Sequence, residues 1–172
     1  TLFRSVYCVI SAYALRRSTL DHAGLLDNVT ISTSRSGNAE TISLKTAAGN
    51  DPSAADPVRL SFQDGAGGFA AIDVTAAASI VISSGSTLGA TSATIFRLWL
   101  VGFNDAGTFR LGVIKCARTD GVYGLQDNVL ESSTAEGGTG TAGSSGVIYT
   151  GTAVTTKAMR VLGYLEYTLT TA

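Results

Sequence analysis

The chain has 172 residues, of which 45% are hydrophobic and only 15% are charged, so it can bury the core of a single domain of sandwich size. Its 12 basic and 13 acidic side chains nearly cancel, and a net charge of -1 does not keep neighbouring copies apart. A nucleic-acid partner would require a basic stripe, but the only adjacent basic pair is Arg16 and Arg17, so neither DNA nor RNA is an expected partner.

The first 24 residues form a segment that differs from the rest of the chain. Five apolar residues fall at steps of three, four, three and seven residues, which is typical of one seam of an oligomerising helix: Phe3, Val6, Ile10, Tyr13 and Leu20. Val6, Cys8 and Ile10 also alternate, and the β-branched and aromatic content suits a strand as well, although the helix is favoured. We predict that residues 1–24 are an oligomerisation or attachment segment. The apolar stretch is interrupted by Arg4 and is too short to cross a bilayer, so no membrane span is expected.

From residue 25 onward the hydrophobic period is two. Residues 29–34, 40–46 and 58–64 each alternate apolar with polar side chains, which predicts half-buried antiparallel strands. Gly37 and Asn38 lie between the first two stretches and provide a tight turn, so these two are predicted to form a hairpin. Both prolines, Pro52 and Pro57, lie in the next connection and predict an exposed loop.

Two long apolar stretches, TIFRLWLVGFN and GTFRLGVIKCA, predict a second hairpin at the centre of the fold. The first of them is apolar on nearly both faces over residues 96–101, as expected of a central strand covered by a second sheet or another subunit. The residues predicted to be buried in this pair are Trp99, Leu100, Leu111 and Val113. The closing stretch TKAMRVLGYLEYTL is long enough to brace the whole sheet.

About ten short strands and at most one helix predict an all-β fold. We expect an antiparallel β-sandwich of jelly-roll type over residues 25–172, preceded by the short appendage of residues 1–24, with an up-and-down barrel as the weaker alternative. The glycine-rich segment 131–146 is expected to be mobile or shaped by a neighbouring chain.

The residues offer no complete catalytic or metal-binding set. His22 is the only histidine, it lies beside Asp21 in a turn, and no nucleophile elbow is present, so a serine-hydrolase triad is not expected. Cys8 and Cys116 are too distant and too few for a zinc shell or a disulfide framework, and both are expected to be buried. We therefore predict a protein that is not an enzyme and that uses no cofactor and no metal.

The run GAGGFA at residues 65–70 matches a dinucleotide-binding fingerprint by letter. The residues that follow are β-patterned, so no helix N-terminus is available to receive a pyrophosphate, and we interpret the run as a glycine turn. Acids such as Asp64 and Asp73 flank turns, and a glycan-cleaving pair of carboxylates ranks last among the functions considered.

Several phrases rich in Thr, Ala and Gly run through residues 25–167: LLDNVTIS, LKTAAGNDPSAADPVRLSF, SSGSTLGATSATIFRLWLVGFNDAGTFRLGVIKC and SSTAEGGTGTAGSSGVIYTGTAVTTKAMRVLGYLEY. In these four segments the sequence resembles those of bacteriophage tail or fibre structural proteins. The resemblance implies a virion protein that is assembled in the bacterial host cytoplasm, forms a homotrimer and attaches to other proteins of the tail or capsid. It carries over no catalytic residues.

Two functions therefore compete. The first is a virion fibre whose main partner is itself, and the alternative is a carbohydrate-recognising receptor-binding module for host-surface glycans. Aromatic platforms would favour the second, and the candidates are Trp99, Tyr123, Tyr149, Tyr164 and Tyr167. Aromatic residues in strands are more often core or subunit contacts, so assembly ranks first.

Overall fold

A computed structural model describes residues 26–118, 121–122, 124–138 and 142–169. Every regular element in these ranges is a β-strand, which confirms the predicted all-β class. The predicted helical segment lies outside the described residues, together with all of its contact candidates: Phe3, Val6, Ile10, Tyr13 and Leu20.

The strands, in chain order, are β1 (Leu26–Asp27), β2 (Thr30–Ser36), β3 (Ala39–Lys45), β4 (Val58–Gln63), β5 (Phe69–Val74), β6 (Ala78–Ile82), β7 (Ile95–Asp105), β8 (Thr108–Ile114), β9 (Ala117–Arg118), β10 (Gly121–Val122), β11 (Leu130–Glu131), β12 (Thr134–Ala135), β13 (Tyr149–Thr150) and β14 (Lys157–Thr168).

These strands form four sheets. The main sheet has six strands in the order β11-β14-β7-β8-β13-β12, two further sheets have three strands each, β1-β4-β5 and β2-β3-β6, and β9 pairs with β10. The pair β12 and β13 is parallel. The remaining pairs are antiparallel.

The predicted hairpin of β2 and β3 is confirmed. Ser36 lies opposite Ala39, which leaves Gly37 and Asn38 as a two-residue turn. Gly37 has a φ of 58°, a left-handed conformation that glycine adopts at little cost.

The predicted central hairpin of β7 and β8 is also confirmed. Asp105 pairs with Thr108, and the two turn residues Ala106 and Gly107 have φ angles of 51° and 89°. Positive φ at both positions matches the twist of the flanking strands. The side chain of Asn104 accepts a 2.8 Å hydrogen bond from the Gly107 N–H and steadies the turn.

One hydrophobic core, called here the first core, joins the main sheet to both three-stranded sheets. Buried residues of β3, β4, β6, β7 and β8 belong to it, among them Leu44, Phe62, Ile80, Leu98, Leu100 and Val113. Because strand residues alternate between faces, each of these strands gives every second side chain to the first core.

The central strand β7 is buried on both of its faces. Leu98 and Leu100 enter the first core, whereas Val101 and Phe103 point to the opposite side of the main sheet. There they form a second core with Ile114, Cys116, Ile148, Val154 and Met159. Burial raises the pKa of the Cys116 thiol to about 11, so this cysteine is a small buried hydrophobe as expected.

The prediction that Trp99 is buried is wrong. Leu100, Leu111 and Val113 are buried, but Trp99 is only half-buried. It lies on the same face of β7 as Val101, at the border of the second core, where the covering residues end.

Parts of the glycine-rich segment 131–146 make defined contacts within the described residues. The segment contributes the strand β12, and Glu136 and Ala142 are 3% and 0% exposed. The backbone N–H of Glu136 donates to the carbonyl of Thr150 over 2.9 Å. These contacts connect the described part of the segment to β13; residues 139–141 lie outside the described residues, and the expected mobility stays a prediction.

Truncating Phe103 to alanine should lower the free energy of unfolding by about 3 to 5 kcal/mol, because its ring is fully buried in the second core and leaves a cavity. Urea denaturation measures this change. Val81→Ala should stay within about 0.5 kcal/mol of the unmodified chain, because Val81 is 47% exposed on β6. Equal effects of the two substitutions would contradict the two-sided burial of β7.

Candidate functional site

Beyond the second core, β7 and β14 continue as a two-stranded ribbon with an uncovered outer face. Tyr164 pairs with Trp99 and Glu166 pairs with Arg97, so these side chains and that of Ile95 share one side of the ribbon. Ile95 and Tyr164 are 71% and 49% exposed. We call this set of five residues the ribbon face. Large apolar side chains left in solvent beside a central strand mark an interaction surface.

Contacts within the ribbon face hold it in one arrangement. The rings of Trp99 and Tyr164 lie 5.4 Å apart at a tilt of 57°. The Arg97 guanidinium lies 4.2 Å above the Tyr164 ring, and its Nη2 atom donates to Glu166 Oε1 over 3.0 Å. Aromatic and cation-π contacts of this kind orient the side chains before any partner arrives.

An open strand edge lies beside the ribbon face. Strand β11 pairs with β14 only at Lys157 and Ala158, and after Ala158 no strand within the described ranges pairs with that edge. Val161 directs its N–H to Asp127 Oδ1 over 2.9 Å, and the register shifts between Val161 and Gly163. Such an edge offers main-chain groups to another strand, and the bulge limits uncontrolled pairing.

A cleft of about 110 Å³ opens at the tip of the β2–β3 hairpin and is lined by charged, aromatic and aliphatic side chains. Its polar rim contains Glu40, which accepts hydrogen bonds from Arg35 Nε over 3.2 Å and from the Tyr167 hydroxyl over 3.3 Å. Burial and then the charge of Glu40 raise the pKa of Tyr167 to about 12, so the hydroxyl stays protonated as a donor. The Phe96 ring lies 6.3 Å from that of Tyr167. We call this the hairpin cleft.

The structure brings together two of the five aromatic residues proposed as a platform. Trp99 and Tyr164 share the ribbon face, whereas Tyr167 points to the other side of the ribbon and lines the hairpin cleft. Tyr149 is buried in the first core, where its hydroxyl accepts a hydrogen bond from the Ser144 N–H over 3.1 Å. Tyr123 lies outside the described residues.

Sequence reasoning missed a buried carboxylate, Glu136, which fastens the glycine-rich segment to the end of β6. One oxygen of Glu136 accepts hydrogen bonds from the Ser83 N–H over 2.9 Å, the Ser83 hydroxyl over 2.6 Å and the Ser86 hydroxyl over 2.7 Å. The other oxygen accepts from the Gly138 N–H over 2.9 Å. Burial raises the pKa of Glu136, but these hydrogen bonds favour the charged form more strongly, and the net pKa lies below the ordinary 4.5. A lone acid in a run of Gly, Ser and Thr was the only sequence signal.

Residues 65–68 of the GAGGFA run lie in the turn between β4 and β5, as predicted, and its last two residues begin β5. Asp64 accepts hydrogen bonds from the N–H groups of Ala66 and Gly68, which lower its pKa, and a strand follows directly. No group of three or more His, Cys, Asp or Glu side chains in the described part of the chain could hold a metal ion. The same residues contain no helix with the length and apolarity to span a membrane.

Comparison with known proteins gives no relative: no protein-family model, curated protein or solved structure matches the chain.

Replacing Glu136 by glutamine should lower the free energy of unfolding by about 1 to 3 kcal/mol at neutral pH, because four hydrogen bonds lose a charged acceptor. The folded-state pKa is lower than the unfolded one, so this stabilisation is present above about pH 4.5 and is lost as pH falls through the folded-state value. Denaturation at several pH values should show the gap between the two proteins closing in acid. Glu131→Gln is the matched control, and a gap that is constant with pH would contradict the account.

Proposed function

We propose that the chain is a structural domain of a virion, of the phage tail or fibre type, that assembles with copies of itself into a homotrimer and attaches to other tail or capsid proteins. The observation that supports this most directly is the ribbon face, where Ile95 and Tyr164 remain in solvent. Covering apolar surface is favourable by about 25 cal/mol per Å². A second copy of the chain is the occupant we assign to this face.

Charge supports self-association on the ribbon face. Arg97 and Glu166 carry opposite charges on the same surface, so two copies that meet there do not bring a patch of one charge sign against another of the same sign. The net charge of -1 adds no general repulsion between copies. Proteins that associate with identical copies usually form closed symmetric oligomers.

A β-sandwich of jelly-roll type is part of this proposal. It is supported by the first core, to which the main sheet and both three-stranded sheets contribute, as two facing layers would. The jelly-roll connectivity rests on the number and spacing of strands in the sequence.

Recognition of a host-surface glycan is the second candidate function. The observation that favours it is that the half-buried Trp99 ring and the exposed Tyr164 ring share one face with a guanidinium and a carboxylate. Flat apolar rings flanked by polar groups suit a sugar, which has apolar and hydroxyl-bearing sides. Assembly ranks first because Arg97 already covers one side of the Tyr164 ring.

Introducing lysine at Ile95 or Tyr164 should convert the trimer to monomers, because a charge would be buried at the interface without a partner. Sedimentation velocity measures the mass, and circular dichroism should stay unchanged because both positions are exposed in the single chain.

Val81→Lys is the matched control, because Val81 is 47% exposed on β6, away from the ribbon face, and its substitution should leave the trimer intact. A full chain that sediments as a monomer at micromolar concentration would overturn the assembly proposal. If Tyr164→Lys instead leaves the mass unchanged and abolishes binding to a host polysaccharide, the glycan function is the correct one.

Removing residues 1–24 should weaken the trimer without loss of the β-rich circular dichroism, because the described residues of both cores lie within 26–167. The truncated chain should show a mass that falls with dilution at concentrations where the full chain remains a trimer. A truncated chain that keeps the full trimer at every dilution would remove residues 1–24 from the interface.

A further inference from the structure

A ring of three identical chains requires two different contact surfaces on each chain. A surface that binds the same surface of another copy closes as a dimer, whereas a ring forms when one surface binds a different surface of the next copy. The ribbon face supplies one of these two surfaces. Its complement must then be a separate surface of the same chain, with space for an apolar side chain and with charges that match those of the ribbon face.

Ile95 is the side chain of the ribbon face that projects furthest into solvent. It is 71% exposed, the largest value among the large apolar residues of the described chain, and it is the first residue of β7. Side chains of a strand stand roughly perpendicular to the sheet. Ile95 can therefore enter an opening on another molecule without a change in its own strand.

The hairpin cleft is an opening of suitable size, and its apolar wall is accessible. Its volume is about 110 Å³, and a cavity of about 150 Å³ holds a molecule of benzene, so one branched aliphatic side chain fits. Phe96, Tyr167 and Leu169 line the cleft and are only half-buried. An entering side chain would therefore meet carbon atoms that are still in contact with solvent, and it would cover them.

The charged groups at the mouth of the hairpin cleft complement those of the ribbon face. Of the ion pair at the mouth, the Arg35 side chain is 63% exposed and that of Glu40 only 15%, so the mouth presents mainly positive charge. On the ribbon face, the Glu166 side chain is 56% exposed. A carboxylate brought beside a guanidinium in this way fixes the orientation of two copies.

The two surfaces lie on opposite faces of the same ribbon end. Ile95 and Phe96 are consecutive residues of β7, so their side chains point to opposite faces, and only that of Phe96 lines the hairpin cleft. Repeating one contact three times would place the three ribbon ends around a common axis. Each chain would then offer Ile95 to one neighbour and its hairpin cleft to the other.

Given the homotrimer proposed above, we infer that Ile95 of each copy inserts into the hairpin cleft of the next copy, against the rings of Phe96 and Tyr167. The contact runs head to tail around the ring, and Glu166 of one copy meets Arg35 of the next. The hairpin cleft is therefore a subunit contact rather than a pocket for a small molecule.

The first test fills the cleft with side chains of its own chain. A cleft-filled variant with Asn38→Phe and Thr87→Phe should sediment as a monomer at concentrations where the unmodified chain is a trimer, because both residues line the cleft. The matched control carries Ser36→Phe and Ser84→Phe, which add the same two rings at exposed positions nearby that do not line the cleft. The control should remain a trimer, and both proteins should keep the β-rich circular dichroism.

Mixing the cleft-filled variant with Ile95→Lys tests the head-to-tail arrangement. The first protein keeps Ile95 and the second keeps an open cleft, so one complete contact forms between them but the ring cannot close. The mixture should sediment as a dimer of one copy of each, although each protein alone is a monomer. If ribbon faces paired with each other instead, the cleft-filled variant alone would keep its oligomeric mass.

A second measurement requires no substitution. Trimers assembled from copies with labelled isoleucine methyl groups and unlabelled copies should show isotope-filtered nuclear Overhauser contacts from Ile95 of one copy to the Tyr167 ring of another. If the cleft-filled variant loses its β-rich circular dichroism, this measurement decides the question by itself.

The outcomes separate this contact from the assembly proposal. A folded cleft-filled variant that stays a trimer, a mixture without the dimer, or a trimer without contacts between copies from Ile95 to Tyr167 would overturn the inferred contact and leave self-assembly standing. An unmodified chain that sediments as a monomer at micromolar concentration would overturn self-assembly, and the contact with it.

Discussion

The need to cover strand β7 on both faces shapes the rest of the structure. On one side, its even-numbered residues Leu98 and Leu100 are covered by the two three-stranded sheets. On the other side, its odd-numbered residues Val101 and Phe103 pack with buried residues from Cys116 onward. Strand β14 then pairs with the backbone of β7 from Ile95 to Asn104, and β8 pairs with it from Trp99 to Asp105. The residues of the second core cover β7 only as far as Trp99. On the ribbon face, beyond Trp99, this central strand still exposes an apolar side chain to solvent.

Much of the fold could be predicted because its signals are local. The two-residue turns at Gly37 and Gly107 each depend on neighbouring residues of the sequence, and the second of them connects the strands of the central hairpin. Strands β11 and β12 were not predicted, because two-residue strands have no period and exist only through their partners. The half-exposure of Trp99 was not predicted for a related reason. The alternation of apolar residues indicates on which face of a strand a side chain lies, but it does not indicate how far along the strand that face is covered by other residues.

The candidate sites were harder to predict, because each joins residues far apart in sequence. Glu136 meets Ser83 and Ser86 across many intervening residues, and no spacing rule connects them. The hairpin cleft likewise joins Glu40 of β3 to Tyr167 of β14, which lie 127 positions apart in the sequence. On the ribbon face, the aromatic pair Trp99 and Tyr164 was anticipated by residue type, but its position on an open face follows from strand register.

The central claim is that copies of the chain cover the ribbon face, and Trp99 is the only tryptophan available to report it. Acrylamide quenching of Trp99 fluorescence measures how accessible this ring is to solvent in the assembled protein. The account predicts strong protection in the full chain and easy quenching in the Ile95→Lys variant at the same concentration. Equal quenching of the two proteins would contradict it, because Trp99 would then be as exposed in the full chain as in a chain unable to assemble.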